Sequence, residues 1–209
     1  MKRVAVLLDL GHVLYKLYPL LGKRTATPDE VVGFAKNCLA GEEELFRVYC
    51  YHCPPYGKTH PTPLSGKAVN FRNTDTYKTM DALISELEVR DGIAFRAGEI
   101  LFNGWKLKAA AAQELLKGAR PLADDDFQPD MEQKRVDIKI GLDVAWLASK
   151  QIVDRVILAT ADSDFVPAMK FARREGIQVV IATVGDHGLR RDLKVHADEV
   201  RSIPFPSTA

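Results

Sequence analysis

The 209-residue chain lacks any hydrophobic run near the roughly 20 residues that a membrane-spanning helix needs. The short apolar run after Met1 is interrupted by Asp9, and no small-residue cleavage site follows it, so it does not indicate a signal peptide. Three cysteines are too few for a disulfide framework. These absences predict a cytoplasmic protein in a reducing compartment, with no membrane partner.

The chain also lacks an excess of charge of one sign. Its 29 Lys and Arg residues and 28 Asp and Glu residues leave a net charge of +1, so total charge predicts no polyanionic partner. The distribution is more informative, because the chain without Asp9, Asp137, Asp143, Asp162 and Asp164 would carry +6. An acidic centre in mildly basic surroundings suits a metal-dependent enzyme that acts on phosphates.

Internal repeats are absent, and apolar segments rich in β-formers alternate with amphipathic segments instead. Strands are predicted at 4–8, 45–51, 93–101, 156–159, 178–184 and 199–203, with helices between most of them. This alternation predicts an α/β fold with a central, mainly parallel sheet and helices on both faces. We expect a single domain over 1–209, with loop insertions near 54–67 and 120–133. Asn103-Gly104 predicts a tight turn.

Carboxylates follow two of the predicted strands directly. Val4–Leu8 runs into Asp9, and the strand at 156–159 is followed by Asp162 and Asp164. In open α/β sheets, ligands bind just past the carboxyl ends of the strands. These aspartates are therefore candidates for holding a cation.

Two further aspartates lie on the predicted helix that precedes the second of these strands. Asp143 lies beside the apolar stripe of this helix and needs a partner, either a metal ion or Lys139. Asp137 stands near the helix start, where negative charge is favourable in any case. Converging carboxylates cannot all stay ionised without a cation, and oxygen ligands favour Mg²⁺ or Mn²⁺. Such ions can activate a water for attack on a phosphodiester.

Four segments in this order resemble one family. They are the strand ending in Asp9, the segment 134–143, the segment 156–167 with its Asp-Ser-Asp-Phe sequence, and Gly176-Ile-Gln-Val-Val-Ile. With them the chain resembles the NYN domain family (LabA-like), a branch of the PIN-like ribonucleases. The resemblance implies a Rossmann-like PIN fold and metal-dependent endonuclease chemistry on RNA.

The resemblance also implies roles for individual residues. Its catalytic and metal-binding acids correspond to Asp9, Asp143, Asp162 and Asp164, with Asp137 as an auxiliary metal ligand. The family usually has Asn three positions after the first Asp, and His12 stands there in this chain. This difference could retune the contact to metal or substrate, or mark a site that binds RNA without cutting it. PIN-like domains often dimerise, so a homodimer is possible.

Substrate contacts are predicted from basic, polar and aromatic residues near these acids. Lys16, Arg190 and Arg191 are candidates for phosphate contacts, and His12 and Ser163 complete the predicted substrate-binding set. Tyr15, Tyr18, Tyr56 and Trp105 could stack on unpaired bases of single-stranded or structured RNA.

The sequence also bears on three alternatives to a ribonuclease. A catalytically impaired domain that binds RNA or protein stays open because of His12. A haloacid-dehalogenase-type phosphatase needs a second Asp two residues after Asp9, and position 11 is Gly. A structural zinc site at Cys50 and Cys53 would need two further ligands, usually a second pair of cysteines. The sequence contains no second cysteine pair.

Overall fold

The computed structural model describes residues 1–118, 120–185 and 188–205. Within these ranges it contains ten β-strands and seven α-helices. The strands are β1 (Lys2–Asp9), β2 (Glu43–His52), β3 (Thr59–Pro61), β4 (Ala68–Asn70), β5 (Ile93–Ala97), β6 (Glu99–Leu107), β7 (Phe127–Lys134), β8 (Arg155–Ala159), β9 (Gln178–Val184) and β10 (Glu199–Ile203). The helices are α1 (Leu10–Leu17), α2 (Pro28–Asn37), α3 (Asp75–Glu88), α4 (Ala109–Leu116), α5 (Val136–Ser149), α6 (Val166–Arg174) and α7 (Arg191–His196). Short 3-10 helices span Phe71–Asn73, Asp124–Asp126 and Ser163–Phe165.

Six strands form one central sheet in the order β10-β9-β8-β1-β2-β5, and every neighbouring pair is parallel. The predicted α/β fold with a mainly parallel sheet is therefore confirmed. From β1 the chain adds β2 and β5 on one side, and it later adds β8, β9 and β10 on the other. The order thus reverses between β1 and β8, and such a switch point opens a crevice at the carboxyl ends of the two strands.

Helices cover both faces of this sheet, as the sequence predicts. Alternate residues of β1 point to opposite sides, so that Leu8 packs with Phe34 of α2 while Leu7 packs with Val144 of α5. Helices α1, α2 and α3 contribute to the first core, and α5, α6 and α7 contribute to the second. Burial on both faces explains why the central strands are continuous apolar runs.

The amino-terminal edge of the sheet is held by charged side chains. Glu43, whose side chain is only 4% exposed, accepts hydrogen bonds from Arg155 and from Arg201. Burial alone would raise the pKa of Glu43, but the arginines, together with the Ala40 N–H, bring it down to about 2. This network joins β2, β8 and β10, which are not adjacent in the chain.

Two antiparallel hairpins, β3–β4 and β6–β7, are added to the parallel sheet. The tight turn predicted at Asn103-Gly104 is wrong. The chain passes from β5 to β6 at Gly98 instead. Residues 103–104 lie inside β6, where the pairing with β7 shifts between Phe102 and Trp105. Gly104 has φ +103°, a conformation that suits glycine at a bulge.

The predicted loop near 120–133 is also corrected, since its second half is strand β7. Pro129 tolerates this position because each strand of a two-stranded ribbon has a free edge. The acidic run before β7 is structural: Arg120 binds both carboxylate oxygens of the buried Asp126, at 2.7 and 2.5 Å. Asp124 accepts bonds from Thr62 Oγ1 and Leu64 N, both 2.9 Å, which tie the β3–β4 hairpin to this segment.

Two smaller observations complete the fold. Thr27 forms a capping box with Glu30 at the start of α2. Across the described residues, none of the helices is both long and apolar enough to span a membrane.

Candidate functional site

The crevice between β1 and β8 places Asp9 and Thr160 together. Asp9 ends β1 and Thr160 follows β8 directly, and Leu8 pairs with Ala159 just before them. The Asp9 carboxylate accepts hydrogen bonds from the His12 N–H and from Thr160 Oγ1, each at 3.2 Å. Burial raises the pKa of Asp9, these hydrogen bonds oppose the rise, and the negative charge of Asp162 adds to it.

The segment after β8 fixes the next two acids. The Asp162 N–H donates to Thr160 Oγ1 at 3.2 Å, and the Asp162 carboxylate in turn accepts from the Asp164 N–H at 2.9 Å. This carboxylate therefore caps the 3-10 helix Ser163–Phe165. Thr160 links the two strands, because its hydroxyl contacts both Asp9 and the Asp162 backbone.

A fourth acid joins from α5. Asp137 lies in the first turn of this helix, and desolvation raises its pKa. The negative charges of Asp162, Asp9 and Asp164 raise the pKa of Asp137 further. Asp137 and Asp164 also border the same groove, a cavity of about 310 Å³ between α5 and α6. We call Asp9, Asp137, Asp162 and Asp164 the acid cluster.

Asp143 has different neighbours. Six residues after Asp137, roughly 9 Å along the helix axis, its carboxylate accepts hydrogen bonds from Tyr51 Oη at 2.8 Å and Arg96 Nε at 2.9 Å. Lys139, the alternative partner from the sequence, donates instead to the Ala97 carbonyl at 2.6 Å. The structure thus pairs Asp143 with the guanidinium of Arg96. It groups Asp137 electrostatically with the other three acids.

The donor chemistry of the acid cluster fits a divalent ion, although the side chains do not form a closed cage. Within the described ranges, no three His, Cys, Asp or Glu side chains stand in an arrangement that could hold a metal ion. Mg²⁺ usually binds through one or two carboxylates and keeps several waters, so a closed cage is not required. Burial, and after it the negative charge of neighbouring acids, raises the pKa values of Asp9 and Asp137, so both carboxylates gain from a nearby cation.

His52 is a neighbour of the acid cluster that sequence reasoning did not place there. It ends β2, next to β1 in the sheet, and Gly11 lies between it and Asp9. A Cβ on Gly11 would stand 3.6 Å from Asp9 Oδ1 and 3.8 Å from His52 Nδ1. Burial lowers the pKa of His52, which keeps the imidazole neutral near pH 7. His52 is the last residue of β2, so its position at a strand end could have identified it from the sequence.

The other predicted site residues are placed as follows. Ser163 lies between Asp162 and Asp164 in the 3-10 helix. Arg190 and Arg191 are exposed at the start of α7, which follows β9 on the carboxyl edge of the sheet. Their roles in substrate binding stay predictions.

Two predicted substrate-binding residues lie on α1. The His12 N–H contacts Asp9 at the beginning of this helix. Lys16 lies in its last turn, at the opposite end from Asp9, with its Nζ 5.9 Å from the centre of the Tyr15 ring. Of the two, His12 is therefore the one that the structure brings to the acid cluster.

Comparison with known proteins supports the family resemblance for the second half of the chain. The NYN domain family model matches residues 105–204, just under half of the chain. This range includes Asp137, Asp143, Asp162 and Asp164, whereas Asp9 lies outside it. The central sheet with its flanking helices is consistent with the PIN-like fold that this domain implies.

Two individual proteins are similar to the chain. An uncharacterized protein of Methanocaldococcus jannaschii is 25% identical over 84 residues, which cover 40% of this chain and 34% of that protein. The chain thus spans about a third of the length of this relative. The crystal structure of a protein of unknown function from Vibrio parahaemolyticus superimposes with a TM-score of 0.53 at 17% identity, covering 97% of this chain and 93% of that one. The second likeness concerns the fold alone.

Proposed function

Because residues 105–204 match the NYN domain family, we propose that the protein is a divalent-metal-dependent endoribonuclease that hydrolyses RNA phosphodiesters at the acid cluster. The observation that carries the proposal is the position of this cluster. Its acids come from the end of β1, from the segment after β8 and from α5, near the switch point of the sheet. Besides burial, the negative charges of Asp162, Asp9 and Asp164 raise the pKa of Asp137, which supports their proximity.

The acid cluster would hold Mg²⁺ or Mn²⁺. When bound, such an ion supplies a water of lowered pKa and neutralises charge on the phosphodiester. The protein itself positions two of the carboxylates: the Thr160 hydroxyl and the backbone N–H of His12 hold that of Asp9, and the backbone N–H of Asp164 holds that of Asp162.

Substrate contacts extend this proposal along the carboxyl edge of the sheet. Arg190 and Arg191 would neutralise phosphates of the RNA backbone, with Ser163 and His12 close to the cleaved bond. The family resemblance makes Asp143 a catalytic metal ligand as well. In this structure Asp143 Oδ2 accepts hydrogen bonds from both Tyr51 and Arg96, so we propose that Asp143 positions α5 through these contacts.

The test is cleavage of labelled single-stranded and structured RNA with Mg²⁺ or Mn²⁺, and with EDTA as the metal-free control. Asp162→Asn should abolish cleavage, since it removes a charge from the cluster and keeps the shape of the side chain. Asp81→Asn is the matched control, because Asp81 is an exposed residue of α3. Absence of cleavage by the wild type in both metals, or equal cleavage by Asp162→Asn, would refute the proposal.

A second candidate function is RNA binding without cleavage, which is favoured by His12 at the usual Asn position. In that case RNA should bind tightly in EDTA, and His12→Asn should leave both binding and the lack of turnover unchanged. Gain of metal-dependent cleavage in His12→Asn would instead indicate a nuclease site weakened by this residue. The cytoplasmic location and the possible homodimer stay predictions.

A further inference from the structure

A cavity of about 600 Å³ lies between the two hairpins and α3. Aromatic rings from three parts of the chain line it: Tyr56 precedes β3, Phe71 and Tyr77 flank the start of α3, and Trp105 and Phe127 belong to the β6–β7 hairpin. Its volume lies within the range of about 300–1,000 Å³ that is usual for ligand sites. The ribonuclease mechanism proposed above does not use this cavity.

Two of the rings are held in place by hydrogen bonds from their polar atoms. Trp105 Nε1 donates to the Pro61 carbonyl at 2.8 Å, and Tyr56 Oη lies 2.7 Å from His60 Nε2. The Phe71 and Trp105 rings are stacked, with centroids 6.1 Å apart and planes at 28°. Rings fixed in this way offer apolar faces to a ligand with little further loss of side-chain entropy.

The cavity adjoins the acid cluster. His52 lines it, and the same His52 ring lies beside Gly11 and Asp9. One side chain therefore separates the aromatic rings from the first acid of the cluster. A ligand that filled the cavity would extend from there towards the proposed cleavage site.

Polar groups around the cavity suit a nucleotide. Gln133 lines it, and its side-chain amide makes no hydrogen bond to another described residue, so it can both donate to and accept from a base edge. Arg72 lies close to Tyr77, which lines the cavity, since a Cβ on Gly57 would stand 2.9 Å from Arg72 Nε and 2.8 Å from the Tyr77 ring. Arg72 forms no salt bridge within the described ranges and is thus available for a phosphate.

We propose that this cavity, the base subsite, binds one unpaired nucleobase of the RNA strand whose phosphodiester lies at the acid cluster. The proposal rests on RNA as the substrate in the proposed function. A nucleobase matches the cavity because it has a flat π face for the rings and hydrogen-bonding edges for Gln133, and its backbone phosphate can meet Arg72. Stacking on aromatic side chains is the usual way in which proteins hold unpaired bases.

The test is binding of a short single-stranded oligoribonucleotide in EDTA, where cleavage does not occur. In the Trp146→Phe variant, the fluorescence of Trp105 reports on the base subsite alone, since the chain has two tryptophans. A series of the same oligonucleotide with an abasic nucleotide at successive positions should contain one position at which affinity falls by about 5- to 100-fold. Trp105→Leu should weaken binding of the intact strand to a similar extent and should abolish the difference between intact and abasic strands.

Trp146→Leu is the matched control for Trp105→Leu, because it makes the same change on the exposed face of α5. The abasic series uses unmodified cavity residues, so it decides the question even if Trp105→Leu does not fold. Equal affinity for every abasic strand refutes the base subsite, whether or not the protein cleaves RNA. Quenching of Trp105 by an apolar dye but not by RNA would also refute it. Position-dependent binding without cleavage in Mg²⁺ or Mn²⁺ refutes only the ribonuclease proposal.

Discussion

The two aspartates of α5 should respond in opposite ways to the same substitution. Asp143→Asn removes the negative charge that Arg96 and Tyr51 bind, so it should destabilise the protein. Asp137→Asn removes a charge that faces Asp9 and other acids, so it should leave the stability unchanged or raise it. Both substitutions keep the size of the side chain.

The expected cost of Asp143→Asn follows from the contacts. Hydrogen bonds to charged groups are worth roughly 1.5–3 kcal/mol each, but Asn keeps an oxygen that can accept from Tyr51. Arg96 is 40% exposed, so water compensates part of the lost ion pair. We expect a loss of about 1–2 kcal/mol in the free energy of unfolding, or about 2–8 °C in Tm for a domain of this size.

For Asp137→Asn, we expect a gain of at most about 1 kcal/mol, the usual scale of surface charge interactions. Metal binding separates the two residues further. Mn²⁺ at about 100 times its Kd should stabilise the wild type by roughly 2.7 kcal/mol. Asp143→Asn should keep most of this response, and Asp137→Asn should lose most of it.

Urea denaturation with and without Mn²⁺ measures both effects, with Asp81→Asn as the control. The reasoning is refuted if Asp143→Asn is as stable as the wild type and has lost its response to Mn²⁺. That outcome would make Asp143 a direct metal ligand, as the family resemblance implies. Destabilisation by Asp137→Asn would contradict the repulsion that we assign to the acid cluster.

Three further predictions concern the framework of the site. Glu43→Gln should lower the free energy of unfolding by about 3 kcal/mol at neutral pH, because it removes the buried carboxylate that Arg155 and Arg201 share and leaves them only Glu199 as an acidic partner. Urea denaturation should show this difference shrinking as the pH falls below 4.5 and being lost as it passes through about 2, because stabilisation by a lowered pKa is complete above the unfolded value and is lost through the folded value. Gly98→Ala should lower the free energy of unfolding by about 1–3 kcal/mol, because its Cβ would lie 2.7 Å from Cys53 Sγ. Thermal denaturation should show a lower Tm, and an unchanged Tm would show that this contact relaxes. Asp9 and Asp137 have folded pKa values above the unfolded value of 3.8, so without metal their stabilising contribution is complete below that pH and is lost as the pH rises through the folded values. The double Asn variant should therefore gain stability relative to the wild type from about pH 4 upward, and a constant difference would contradict the raised pKa values.

Sequence patterns predicted the elements that periodicity and turn chemistry control. Most central strands are read correctly, and β9 agrees with its predicted range at both ends, because continuous apolar runs are typical of sheets buried on both faces. The hairpins were not predicted, because polar, Pro-containing strand β7 becomes a strand only through its pairing with β6. Asn103-Gly104 has the composition of a turn, yet pairing on both sides makes it a bulge.

Prediction of the site divides in the same way. Sequence alone placed Asp9, Asp162 and Asp164 at the carboxyl ends of two strands, which meet at one edge of a parallel sheet, and the structure confirms that position. Their roles in metal binding and catalysis stay predictions. The family resemblance ranked Asp143 above Asp137, whereas the structure groups Asp137 with the other acids and pairs Asp143 with Arg96. Both acids lie on one helix, and their neighbours depend on what that helix packs against. Arg96, 47 residues before Asp143, was not recognisable as its partner from spacing.

The amino-acid sequence by itself thus determined the α/β class, the parallel sheet and the acids at its carboxyl edge, because these depend on local patterns of burial and charge. Tertiary structure alone decided the switch point between β1 and β8, the pairing of Asp143, the place of His52 beside Asp9 and the cavity between the hairpins. Each of these depends on contacts between residues far apart in the chain, and such contacts leave no periodic signal in the sequence.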